Sequence, residues 1–163
     1  MTEEKLNQEE LLTVEDSFLR GLLDAYEDNQ DDVRTIQIAR NGRTLFEFDV
    51  RGLSEKEYND LQDQATKFKK AKNLGGVKVP EETNVPRFRS SLIYHATVKE
   101  HRDKLWNNKQ AWKQTNVLNG IDLIDKILKA GEKSAVIEII DDLSGFGSEG
   151  NELLKNSSGQ EDE

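Results

Sequence analysis

The strongest constraint on this chain is the dipeptide Asn41-Gly42, set between two runs, 33–40 and 43–50, that alternate apolar and polar side chains. Both central residues of a two-residue hairpin turn need positive φ, which asparagine and glycine tolerate best. The two runs are therefore predicted as one antiparallel β-hairpin. Ile36 and Ile38 fall on one face of the first run, and Phe46, Phe48 and Val50 share one face of the second. Val33 is out of phase with them. A lone hairpin is marginal in water, so its apolar face must pack on the neighbouring helix.

The remaining chain reads as helices and punctuation. Leu11, Val14, Phe18, Leu22 and Ala25 or Tyr26 recur three to four residues apart, the stripe of an amphipathic helix ending near Asp28. Asn29 to Asp32 is a polar break. Ser54 followed by Glu57 forms a capping box, because each side chain can satisfy the other's backbone N–H. The helix it starts is predicted to carry Tyr58, Leu61, Ala65 and Phe68 on one stripe and to end near Lys72. Residues 73–88 hold both prolines, Pro80 and Pro86, and read as an irregular connector. Helix resumes from Ser90 to His101. A polar stretch with Trp106 and Trp112 comes next, then two short helices punctuated by Gly120, Gly131 and Gly145.

Charge bounds the chain's possible roles. Residues 1–32 carry a net −9, residues 33–131 a net +7 and residues 132–163 a net −7. The acidic ends either act as solvated tails that keep the chain soluble or attract the basic middle of another copy, end to middle or head to tail, which would favour self-association. Hydrophobic and charged residues each make up 34% of the chain, a balance that suits a modest core with solvated ends. There is no cysteine, which removes disulfides and thiolate metal sites. The first ten residues lack the basic and apolar runs of a signal peptide, and no apolar run nears the roughly 18 residues of a membrane span. A cytoplasmic setting is the expectation.

No constellation points to catalysis. Gly145-Phe-Gly-Ser-Glu-Gly150 matches a dinucleotide fingerprint, but nothing around it supplies the βαβ unit that the motif needs. His95 and His101 are six apart, too far round one helix to share a metal as an i, i+4 pair would, and no other His or Cys completes a site. The acids at Asp28, Asp31 and Asp32, and at Asp141, Asp142 and Glu149, lack the alternating oxygen ligands and central glycine of a calcium loop. Asn156-Ser-Ser158 is formally a glycosylation acceptor but has no secretion signal to give it meaning. Neither a metal nor a cofactor is expected. Lys67, Lys69, Lys70, Lys72, Lys78, Arg87 and Arg89 form the one basic concentration, with Phe68 inside it. A small nucleic-acid-binding regulator using residues 67–89 is therefore the alternative reading. Trp106 and Trp112 are either core anchors or partner contacts.

From Arg87 to Phe146, Leu92, Val98, Leu105, Val117, Gly120, Leu123, Leu128, Gly131-Glu132 and Gly145-Phe146 succeed one another in a cadence that resembles the XkdN-like phage tail assembly chaperones. Gly131 would be the left-handed residue closing one helix and Glu132 the favourable acid opening the next. Phe146, past Gly145, could fold back on the last helix. The resemblance implies binding rather than catalysis. The tape measure protein would be held soluble in the infected host's bacterial cytoplasm while tail tube protein polymerises around it, and the chaperone would be absent from the mature virion. It implies no nucleic-acid or membrane partner, and an extended form made by ribosomal frameshifting. Leu154-Lys155-Asn156 can be encoded by a slippery A-AAA-AAC heptamer.

The sequence thus predicts an α+β fold, mostly helical, as a single domain with one hairpin at 33–50 and short C-terminal helices. Residues 1–10 are expected to be a disordered acidic N-terminus, 11–146 the chaperone domain and 147–163 a flexible acidic tail. Trp106, Trp112 and Phe146 are the expected partner contacts.

Overall fold

The computed structural model describes residues 8–146. The terminal segments 1–7 and 147–163 lie outside them, and so do Gly147 and Gly150 of the glycine fingerprint, the acceptor Asn156 and the slippery site at 154–156. The described part is α+β. Helix α1 (Gln8–Asp31) is one unit, and a second begins at Val33. The second unit runs β1 (Val33–Arg40), β2 (Arg43–Arg51), α2 (Glu55–Gln64), β3 (Thr66–Ala71), β4 (Val77–Thr83), α3 (Val85–Ala96), α4 (Lys99–Lys104), α5 (Lys109–Thr115), α6 (Gly120–Ile127) and α7 (Ala130–Leu143).

The β1–β2 turn has positive φ at both Asn41 and Gly42, as the dipeptide predicts. The pairing holds a finer lesson. In an unbroken two-residue hairpin Ile38 would face Leu45 and Ile36 would face Glu47, leaving the phenylalanines on the opposite side. Instead the register slips by one beyond Ala39, so that Ile38 pairs with Phe46 and Ile36 with Phe48. The bulge absorbs Leu45 and brings both apolar sets onto one face. Ile36, Ile38, Phe48 and Val50 are buried, while Val33 and Leu45 are exposed. The covering elements are α3 and α7. Helix α1 extends to Asp31, past the expected end near Asp28, and leaves Phe18, Leu22 and Tyr26 exposed.

A second hairpin replaces the predicted long helix and irregular connector. Helix α2 begins with its capping box, Glu57 N–H donating to Ser54 Oγ (3.2 Å) and Ser54 N–H to Glu57 Oε2 (2.8 Å). It ends at Gln64, where Thr66 Oγ1 takes the Gln62 carbonyl and the Asn84 N–H takes that of Ala65. β3 then pairs with β4 across a short 3₁₀ turn closed by Gly75 and Gly76, both at positive φ. Phe68 faces Pro80 beside a bulge, a place where a strand tolerates proline. Phe68 is therefore exposed rather than in line with Tyr58 and Leu61.

Further corrections concern the C-terminal half. Asn84 caps α3, which begins at Val85, five residues before the expected start, with Pro86 in the first turn. The predicted 90–101 helix breaks after Ala96, because Thr97 and Val98 leave it to bridge β2: Val98 N–H donates to Asp49 O at 2.9 Å. The tryptophan stretch contains a helix, α5, capped by Asn108. Gly131 does not close α6. That helix ends in extended backbone at Leu128, and Gly131 lies within the first turn of α7.

Two glycines separate cleanly by environment. A Cβ on Gly52 would lie 2.5 Å from the Leu143 carbonyl oxygen, a backbone atom, whereas one on Gly131 would meet nothing within 4 Å. We expect Gly52→Ala to cost about 1–3 kcal/mol through forced backbone shifts. Gly131→Ala should instead stabilise by roughly 0.5–1 kcal/mol, since it removes a flexible residue from a helix. Denaturant midpoints of the two variants check this. A destabilised Gly131→Ala would restore the left-handed assignment.

Candidate partner-binding surfaces

The three expected contact residues separate into three environments. Trp106 is 2% exposed, with its ring edge-on to Phe46 and Phe48 at 5.9 and 5.3 Å. Its indole N–H donates to Thr97 Oγ1 at 2.9 Å, and that hydroxyl donates to the Ile93 carbonyl. A buried indole needs such an acceptor. Trp106 is thus a core anchor and offers no face to a partner in this fold. Trp112 is partly buried and donates its indole N–H to Trp106 O at 2.7 Å.

Phe146 is 66% exposed yet firmly placed. Helix α7 ends in a Schellman turn: Gly145, at φ +89°, donates to Asp142 O, and Phe146 N–H donates to Asp141 O at 2.9 Å. The Phe146 ring meets Tyr58 of α2 edge-on at 5.5 Å, so it turns towards α2 as well as closing α7. The same corner is tied to β2 and α2. Leu53 N–H donates to Ser144 Oγ at 2.8 Å, and Tyr58 Oη donates to Asp141. Burial and the Asp141 carboxylate push the Tyr58 phenol above its ordinary range.

Helix α7 is held at its other end by Glu132. Its Oε1 accepts the Lys129 N–H at the helix start (2.8 Å), and both carboxylate oxygens take the Arg40 guanidinium, at 2.6 and 3.0 Å. Arg40 also donates to Ile127 O, so one side chain joins the hairpin turn to the α6–α7 corner. The Arg40 hydrogen bonds, helped by the Lys129 N–H, lower the Glu132 carboxyl to about 2. Glu57 is likewise held at about 2, chiefly by Arg51 and then by the Ser54 backbone N–H. Periodicity marks Glu132 as an acid at a helix start. The ion pair with Arg40 spans 92 residues and leaves no local signal.

The basic concentration divides in two. Arg87 and Arg89 face the helical body, Arg87 near Asp122 at 3.9 Å and Arg89 donating to Ser134 Oγ at 2.5 Å. Lys67, Lys69, Lys70, Lys72 and Lys78 are exposed on the β3–β4 hairpin, with Phe68, Leu74 and Val77 also exposed among them. The two histidines sit on different helices. His101 Nδ1 accepts the Asp49 N–H at 2.9 Å, and burial, then the Arg102 charge, lowers His95. Among the described residues no group of three or more His, Cys, Asp or Glu is placed to hold a metal ion, and no helix is long and apolar enough to cross a membrane.

A carboxylate whose folded pKa lies below its unfolded value stabilises the fold above the ordinary carboxylate range, and that contribution is lost as pH falls through the folded value. Glu132 and Glu57 thus predict stability that declines between about pH 5 and pH 2. Glu132→Gln should lower the melting midpoint at neutral pH, flatten this decline and converge with the parent near pH 2. Melting curves across that window check it. Parallel curves for the two proteins would show that the Arg40 pair contributes nothing.

Comparison with known proteins gives one family. Residues 19–156 match the family described as phage XkdN-like tail assembly chaperone protein. No curated protein and no solved structure matches the chain.

Proposed function

The chain belongs to the family of phage XkdN-like tail assembly chaperones, and we propose that it acts by binding the tape measure protein and keeping it soluble while tail tube protein polymerises around it. The role is non-catalytic, is played out in the cytoplasm of the infected bacterium, and leaves no copy in the finished virion. A longer product made by frameshifting at 154–156 belongs to the same reading. The observation that carries the proposal is Phe146, a large apolar ring left mostly in water but fixed by the Gly145 turn and by Tyr58. Fixing an apolar group before binding lowers the ordering cost of the complex, which is how a small contact becomes an anchor. Trp112 is the second contact, with Trp106 behind it as support.

The interface so described is apolar, and its affinity should hold as salt rises. Nucleic-acid binding through residues 67–89 would instead weaken steeply with salt, because phosphate contacts release counterions. Co-expression of tape measure protein with this chain tests the reading. The soluble fraction of the tape measure protein should rise severalfold with the parent chain and fall back with Phe146→Ser, a surface change that leaves the chaperone folded. A tape measure protein equally soluble with and without the chain would end the proposal.

A further inference from the structure

Two exposed surfaces of opposite charge lie outside the contacts described above. Helix α1 presents Val14, Phe18, Leu22 and Tyr26 at four-residue steps, with Leu19 and Leu23 beside them, and all six are between 44% and 71% exposed. The helix carries eight acids against Arg20 alone. An amphipathic stripe of this kind is ordinarily covered. The β3–β4 hairpin is its complement. Residues 66–83 hold five lysines against Glu81 and Glu82, and Phe68, Leu74 and Val77 stand exposed between them. An open cleft of about 410 Å³ lies at the hairpin's foot, lined in part by Ala65, Lys67, Val85 and Pro86.

We propose that α1 of one copy docks on the β3–β4 hairpin of a second copy, apolar stripe against the face that carries Phe68 and its cross-strand partner Pro80, with the α1 acids facing Lys70 and Lys78 on that face. Charge decides the occupant. Pairing α1 with α1 would set two strongly acidic helices side by side, and like charges across an interface are costly. Pairing it with the hairpin joins opposite charges and covers the exposed rings of both. Each copy offers one α1 and one β3–β4 hairpin, so the contact is heterologous and can propagate from copy to copy unless the geometry closes a ring. The inference does not depend on what the Phe146 corner binds.

Sedimentation velocity on the full chain, across concentration and salt, tests it. Expected is concentration-dependent association at low salt that weakens as salt screens the pairs. Lys70→Glu with Lys78→Glu should weaken association by at least about tenfold, as should Asp24→Lys with Glu27→Lys, because each places like charges in contact. Mixing the two double variants should restore a complex, since the acidic hairpin of one then meets the altered helix of the other. Circular dichroism confirms that each variant is folded. A parent chain that is monomeric at every concentration and salt would overturn the proposal, and so would association indifferent to both reversals. It would equally fail if the lysine variant kept full self-association but lost binding to a single-stranded oligonucleotide, which would make the hairpin a nucleic-acid surface.

Discussion

The buried indole of Trp106 holds the second unit together. It lies against Phe46 and Phe48 of the hairpin, and its N–H reaches Thr97 at the end of α3. Thr97 and Val98 in turn leave the helix to bridge β2. Arg102 closes the freed end of α3 by donating to the carbonyls of Tyr94, His95 and Thr97. Gly120 then brings α6 so close that a Cβ there would sit 2.8 Å from Trp106 O. Hairpin, α3 and α6 therefore share one packing node. Emptying such a site costs about 3–5 kcal/mol, a large part of what a domain of this size has in reserve.

Beyond that node, the two ends of one helix organise the rest of the unit. Helix α7 is pinned at its start by Glu132 and Arg40, and at its finish by Ser144, Asp141 and the close approach of Gly52. A helix fixed at both ends also fixes the turn that leaves it, and that turn carries Phe146. The feature proposed to meet the tape measure protein is thus the last consequence of contacts that tie α7 to Arg40, Gly52, Leu53 and Tyr58, far upstream in the sequence.

How much of this could be read beforehand depends on whether the deciding contact is local. Asn41-Gly42, the Ser54–Glu57 box and the Gly145 turn are settled within a few residues, and each stands as the sequence implies. The bulge at Leu45 is not part of the predicted hairpin, although the parity of Ile36 and Ile38 conflicts with that of Phe46 and Phe48 about a two-residue turn, and an extra residue reconciles them. The β3–β4 hairpin was not legible. Lys67 to Lys72 continues the helical phase of Tyr58 and Leu61, and only pairing with 77–83 shows it to be a strand. Trp106 was open for the same reason, because its burial is decided by Phe46 and Phe48. The sign at Gly131 was misread because glycine beside a helix boundary fits either the end of one helix or the first turn of the next.

Hydrogen exchange on the chain, alone and in complex with tape measure protein, tests the chaperone reading most directly. New protection is expected at the end of α7, around residues 141–146, and over the Trp112-bearing α5, undiminished at high salt. Protection confined to the β3–β4 lysines, or none anywhere, would contradict the assignment of Phe146 and Trp112 as the surface that meets the tape measure protein.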